Sequence, residues 1–593
     1  MAILSAPSFA GELRAVYQSD FSAGTSGFTI QWTGSGKLAL FIDAAHPGPS
    51  GAPSLRTDCA VPSTGSTGVG IKVGATRTWR IRIMAGSALT AGKASVNLQC
   101  WDAQNKQVAW IGIGGVPAGP ELRPLLAVVG IPANCDHLNL LVLHEGAVGS
   151  TWVADVRIDP WDVQIPRPVG PTRWGATGIF RGDDDRALDT ALKLLACAGV
   201  VNTRAGINWS VQEAERGKLD FSGLDRQLAQ AASYGIAIPV VCIHGTPSWA
   251  SGKRAPQDVL PERLAHGAWF ANRAFWAPQD WKDWERYLEA LFTHFRGRVP
   301  VWEILNEPDL WTEGFNGTYE EYCQYLKIAH EVAARVDPSC RVFTAAFVFG
   351  EWFPRLLADG MDKYFDGVCI HPYGTKPGDC VARAQKTVLT LLANGLGDKE
   401  VAVTEVGFQS GGWKQGPGVV QDEATKAQYG RETLEGLASL CSTVTWYTAI
   451  EAGNMYGLLR LDKDRYVPMP IYYEYGDLTG KLPKAGGPVD VTVTVPGGEI
   501  KPGQAAQVTL TARNKTDHAL QATLWPVGFV TPLGPDGEPR AYDCVQVLAP
   551  GQSLQIRVSV TPRPTAQGPY LVGLAALTPE GNSLALTPLQ VTP

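Results

Sequence analysis

Between residues 172 and about 482 short apolar runs alternate with longer amphipathic stretches, and this alternation leaves few folds open. A short run of branched apolar residues bounded by turn residues reads as a strand buried on both faces. An apolar stripe at helical spacing reads as a helix packed against it. Such strands end at Phe180, Arg204, His244, Glu307, Tyr373 and Glu405. One intervening helix aligns Leu188, Ala191, Leu192, Leu195 and Ala196, and another aligns Trp281, Trp284, Tyr287, Leu288, Leu291 and Phe292. Repeated strand–helix units build a parallel sheet with helices outside it.

Two of these strands end in an acid. One is Val301-Trp302-Glu303-Ile304-Leu305-Asn306-Glu307-Pro308, the other Val401-Ala402-Val403-Thr404-Glu405-Val406-Gly407. Burying an unpaired carboxylate is costly, so an acid at the mouth of an apolar strand needs a partner or a task. Two carboxyl groups delivered to one end of a barrel are the parts needed to hydrolyse a glycosidic bond. Glu303 lies deeper in its strand and is expected to pair internally.

The triplet Asn306-Glu307-Pro308, within Trp302 to Leu310, resembles the acid/base signature of clan A glycoside hydrolases and is most similar to family 39. That family includes β-xylosidases, α-L-iduronidases and bacterial exopolysaccharide hydrolases. The resemblance implies a (β/α)8 TIM barrel and helps to place its fifth strand at 341–347 and its eighth at 444–451. It implies Glu307 as acid/base at the end of the fourth strand and Glu405 as nucleophile at the end of the seventh, a retaining double displacement that needs no metal or organic cofactor. It also implies that Asn306 binds the sugar 2-hydroxyl. Arg204 would hold Glu405 ionised by opposite charge, and Tyr373 would donate a hydrogen bond to it. Trp446 is a candidate stacking floor, with core packing the alternative. His244, Trp249 and His371 are expected to line the pocket or to be structural. Glu451 would reach a sugar hydroxyl or cap a loop.

The flanks are all-β by pattern. Residues 1–170 carry strand-like runs at 28–32, 38–42, 79–83, 96–101, 138–143 and 152–158 with no helix between them, which predicts a jelly-roll β-sandwich. This region resembles carbohydrate-binding modules, and either glycan capture or buttressing is its expected role. Pro160, Pro166, Pro168 and Pro171 make a stiff linker to the barrel, 171–484. Residues 485–593 alternate strictly in 489–495, 506–512 and 554–560, which predicts an immunoglobulin-like β-sandwich. An insertion at 251–280 carries Trp269, Phe270, Phe275 and Trp276, either as one wall of a cleft or as packing for the loop itself.

A net charge of -6 without a basic run argues against a nucleic-acid partner. No run is long enough to span a bilayer. Nineteen tryptophans suit a chain that stacks on sugar rings, or simply fill a large barrel and two sandwiches. Eleven scattered cysteines are not a disulfide framework, and Cys242 and Cys369 read as small core residues. Met1 to Ala10 lack the pattern of a secretory leader, so the expected setting is secreted or periplasmic with the leader absent, or cytoplasmic. The expected partner is an oligo- or polysaccharide. A transglycosidase using the same glutamates and a non-catalytic glycan-binding protein are the alternatives.

Overall fold

The computed structural model describes residues 15–591 except 162–164, 166–167, 169–170, 181–184, 265–270, 349–351, 412–417, 452–454, 463–464, 496–498, 529 and 563–567. Pro166, Trp269, Phe270 and Met1 to Ala10 lie outside the described residues. The chain divides into two compact units. One holds residues up to 166 with 347–365 and 385–399, and the other holds the remainder.

In the second unit eight strands close an all-parallel barrel. They are β1 (Arg173–Ala176), β2 (Asn202–Asn208), β3 (Ala237–His244), β4 (Val301–Ile304), β5 (Arg341–Thr344), β6 (Gly367–Ile370), β7 (Glu400–Val406) and β8 (Thr443–Trp446), paired in chain order with β8 returning to β1. All eight expected strands are present, and most are shorter than the apolar runs suggest. β4 stops at Ile304, so Glu307 stands on the turn beyond the strand. The run at 444–451 splits into β8 and a separate strand, Ile450–Glu451.

Register sets the barrel interior in layers. Val240, Val301, Phe343 and Ala402 pack with Ala346 and Cys369 as an apolar floor. Two residues further along, Cys242 on β3 pairs in register with Glu303 on β4, so both project from the same sheet face as Val240 and Val301. Further still, Asn208 pairs with His244.

The helices form where caps and spacing ask for them. Trp281–His294 starts at Asp280, whose side chain accepts from the Lys282 amide, and it buries the predicted Trp284, Tyr287, Leu288, Leu291 and Phe292. Tyr319–Val336 opens with a reciprocal Thr318–Glu321 capping box. Glu423–Ala438 is capped by Asp422, and Pro470–Leu478 follows a hairpin of Leu459–Asp462 and Arg465–Pro468 that the sequence did not suggest. The C-terminal residues build two antiparallel-rich sheets, of four and five strands, around a core that includes Val508, Leu510, Leu524, Ile556, Val558 and Leu574.

In the first unit eight strands form one sheet with a main core that includes Phe28, Trp79, Ile81, Leu98, Leu140 and Val156 and a smaller cluster of Leu38, Cys59 and Ala147. The runs at 79–83 and 96–101 belong to one strand, Thr78–Trp101, and those at 138–143 and 152–158 to another, His137–Pro160. Bulges between Arg82 and Met84, Leu89 and Ala91, and Ala91 and Lys93 interrupt the alternation inside the longer pairing, so the sequence breaks where the strand does not.

Candidate active site

Arg204 on β2 organises the mouth of the barrel. Its guanidinium donates through Nε to Glu303 Oε2 at 2.6 Å, through Nη1 to Glu405 Oε1 at 2.7 Å and through Nη2 to Asn306 Oδ1 at 2.8 Å. A planar fork with fixed donor directions suits three such contacts, and lysine has no equivalent geometry. Burial works against the charge, but Glu303 and Glu405 keep the group protonated well above the ordinary range. Glu303 is wholly buried beneath the site and pairs internally as expected, while its Oε1 has no hydrogen-bond partner among the described residues.

The chain turns sharply after β4. Leu305 and Glu307 have φ angles of 65° and 42°, in the left-handed region that residues with a Cβ seldom occupy. Such positions cost roughly 1–3 kcal/mol each and persist only where their surroundings hold them. Here Leu305 N donates to Ile243 O at 3.0 Å and Leu310 N to Glu307 O at 2.9 Å. Glu307 is thereby buried to 8 % exposure. Burial raises its pKa to about 7, Arg204 opposes that, and Asp309 and Glu303 add to it. Its Oε1 lies 2.6 Å from His371 Nδ1, and His371 Nε2 lies 3.1 Å from Thr404 Oγ1. Burial lowers the pKa of His371, against the opposing charge of Glu405.

Glu405 sits in a different setting. Besides Arg204 it accepts from the Tyr373 hydroxyl at 3.1 Å. One oxygen each of Glu307 and Glu405 and a nitrogen of His371 all lie within 4.8 Å of one another. Three such donors are able to hold a cation. An ion there would compete with Arg204 for Glu405 and with the proton on Glu307, so the donor set fits poorly with a resident metal.

Three tyrosines surround Glu405. Tyr447 and Tyr456 meet edge-on at 5.3 Å, and each meets Tyr373, at 6.4 and 6.3 Å. Burial first, then Tyr447, Glu405 and Glu307, raise the Tyr456 hydroxyl to about 12. On the other side, burial followed by the charges of Arg273 and Arg204 lowers His244 to about 4, so it presents a neutral imidazole near the pocket. Arg273 pairs with Glu313 at 3.4 Å. Glu313 is raised by burial and then by the charge on Glu307.

Arg204, His244, Asn306, Glu307, His371, Tyr373 and Glu405 therefore gather at one end of the barrel. Three predicted residues do something else. Trp446 is wholly buried, with its ring against Gly430 and its N–H donated to the Tyr456 carbonyl at 2.9 Å, so it is core and no stacking floor. Tyr447, one residue on and half-buried, packs instead against Tyr373, the tyrosine that bonds Glu405. Glu451 is committed to Lys426 at 3.2 Å and Arg460 at 2.7 Å and reaches no pocket. Trp249 donates its N–H to the Glu213 carbonyl, and the guanidiniums of Arg216 and Arg286 lie 5.6 and 6.0 Å from its ring, so its face is already covered.

The Glu451 network carries its own structural role. Lys426, also wholly buried, bonds the carbonyls of Met455 at 3.0 Å and Gly457 at 3.4 Å, on either side of Tyr456. Sequence reading missed Arg273, Glu313, Tyr447 and Tyr456. Only Tyr447 had a signal, as the second of two aromatics at a strand end.

No family model matches the chain. It is 26 % identical over 150 residues to endo-1,4-beta-xylanase A of Phanerodontia chrysosporium, covering 24 % of this chain and 32 % of that one. It is 30 % identical over 131 residues to a beta-xylosidase of Caldicellulosiruptor saccharolyticus, covering 20 % and 27 %. The likeness is to glycoside hydrolases. A solved family 39 glycoside hydrolase from the gut symbiont Bacteroides cellulosilyticus WH2 aligns over 84 % of this chain and 98 % of its own, at 14 % identity and a TM-score of 0.42. The alignments span about a third of the length of the curated relatives, 32 % and 38 % for the first two.

Proposed function

We propose that this chain is a retaining glycoside hydrolase in which Glu307 is the acid/base and Glu405 the nucleophile. The observation that carries the reading is one pair of carboxyl groups in unequal surroundings. Retaining enzymes hold their two carboxyls about 5–5.5 Å apart, and inverting enzymes leave about 6.5–9.5 Å for a water between them. Oxygens of Glu307 and Glu405 lie within 4.8 Å, which favours the first arrangement.

Glu307, with a pKa of about 7, carries the proton that the leaving oxygen needs. Glu405, held by hydrogen bonds from Arg204 and Tyr373, attacks the anomeric carbon. After attack Glu307 has lost its proton and serves as base for the incoming water. The proton taken from that water restores the acid form of Glu307, whose Oε1 lies beside His371. Asn306, oriented by Arg204, is placed to bond the 2-hydroxyl next to the reacting carbon.

The partial matches to enzymes named xylanase and xylosidase make a xyloside the first substrate to try. The test is hydrolysis of aryl β-xylosides, other aryl glycosides and xylan, with Glu405→Gln as the blank. Cleavage of at least one of them by the parent chain alone is expected. Equal rates for the parent and the blank on every substrate would defeat the reading.

A further inference from the structure

The sheet of the first unit exposes two indoles that are held in fixed positions. Trp32 is 53 % exposed and Trp110 45 %. A Cβ placed on Gly34 would lie 2.5 Å from the Trp32 ring, so the glycine lets that ring lie down across the strand. Trp110 donates its N–H at 3.2 Å to Asn97 Oδ1, and Asn97 in turn donates to Ser95 Oγ at 3.0 Å. Asn97 is only 6 % exposed, so a buried amide anchors an exposed ring.

Register places both rings on one face. Trp32 pairs with Ser66, Ser66 with Leu143 and Leu143 with Ser95. Trp110 pairs with Gln99, four residues along the strand that carries Ser95. Paired residues project to the same side, as do residues two apart. The row between runs through Gly68, Leu141, Asn97 and Gly112, so these rows hold no charged side chain. Four strand spacings across and four residues along separate the two rings by about 20–25 Å. The side chains of the strip are uncharged, an exposed indole stands at each end, and the Lys386 ammonium donates to the Gly112 carbonyl at 2.6 Å.

We propose that this face binds a neutral polysaccharide, with Trp32 and Trp110 stacking on sugar rings. Neutral sugars offer apolar ring faces and many hydroxyls without charge, which is the chemistry this strip complements. An acidic peptide or a nucleic acid would require a run of cations, whereas the strip meets Lys386 at its Gly112 edge, with that ammonium donated to a backbone carbonyl. The glycosidase reading enters only in the choice of probes.

The test uses the full chain carrying Glu405→Gln, run in native gels containing xylan, barley β-glucan, galactomannan or xyloglucan. Retention is expected in at least one gel. Trp32→Ala and Trp110→Ala should each weaken it by about tenfold, the loss of one buried ring. Gly34→Val keeps both indoles but displaces one, and it should weaken retention as well. Val547→Ala, an exposed apolar site in the C-terminal sandwich, should not. Aryl-glycoside hydrolysis, measured with Glu405 intact, should be unchanged by every one of these substitutions. Retention on none of the four polysaccharides, retention unaffected in the Trp32→Ala/Trp110→Ala double variant, or a change in mass showing that the indoles join two copies would each overturn the proposal. Trp-dependent retention without any aryl-glycoside hydrolysis would uphold it while defeating the glycosidase reading.

Discussion

At the end of β7 the carboxyl group of Glu405 meets a guanidinium and a phenol, whereas at the end of β4 that of Glu307 meets an imidazole inside a buried turn. Both ends belong to one parallel barrel. The difference comes from what the neighbouring strands supply. Arg204 spends one nitrogen on Glu405 and another on Glu303, and its remaining reach goes to Asn306 rather than to Glu307. Burial of Glu307 and a cation bonded to Glu405 together give two glutamates a few ångströms apart unequal surroundings.

Removing the two carboxylates in turn should break this comparison most severely. On the proposed function, Glu405→Ala should lower turnover by roughly four orders of magnitude or more, because no covalent intermediate forms. Glu307→Ala should cost roughly 10²–10⁴ on a glycoside with a poor leaving group and far less in the first step with a good one. Burst kinetics with an activated aryl glycoside check this: a burst belongs to Glu307→Ala alone.

Arg204→Met should remove the asymmetry while keeping both glutamates. It leaves Glu303 and Glu405 buried without their cation, a loss of about 3–5 kcal/mol readable as a lower midpoint in denaturant. The variant also loses the donors that orient Glu405 and Asn306, so kcat/KM should fall by roughly 100-fold on the proposed function. An unchanged kcat/KM would mean that Arg204 does not position the nucleophile.

The pH dependence of the parent chain should carry the same signature. Glu307 is needed protonated, and its pKa is about 7, so activity should fall as pH rises through about 7. Stability has a matching sign. The folded pKa lies above the unfolded value of 4.5, so the folded state binds this proton more tightly. That contribution is complete below 4.5 and is lost as pH rises to about 7, and Glu307→Gln should flatten that slope in denaturation curves taken at several pH values.

The smallest effect separates two adjacent aromatics. Tyr447→Ala should raise KM by about tenfold with little change in melting temperature. Trp446→Phe should lower the melting temperature by a few degrees, a loss of about 1–2 kcal/mol, with KM nearly unchanged. The reverse pattern would put the expected stacking floor back on Trp446.

That pair also marks where the sequence stopped being legible. The barrel could be read because each strand is a short apolar run followed by a helical stripe, and the two glutamates because an acid is out of place at the end of such a run. β8 is buried on both faces, so alternation cannot tell which of Trp446 and Tyr447 turns inward. Glu451 looked like a third strand-end acid, yet its partners Lys426 and Arg460 come from a helix and a hairpin that no periodicity links to it. Arg273 and Tyr456 reach the site from loops, which carry no repeat to read. In the first unit, bulges hid the length of the strands.

The central claim is the division of roles between Glu307 and Glu405, and stereochemistry tests it most directly. Azide with an activated aryl glycoside is the probe, and the anomeric configuration of the glycosyl azide, read by proton NMR, is the measurement. In Glu405→Ala, azide enters the vacated space, attacks from the side of the missing nucleophile and should give the inverted product. In Glu307→Ala, the glycosyl-enzyme still forms, and azide, which needs no base, attacks from the opposite face and should give net retention. Opposite anomers from the two variants are what this account predicts. The same anomer from both, or rescue of neither, would contradict it.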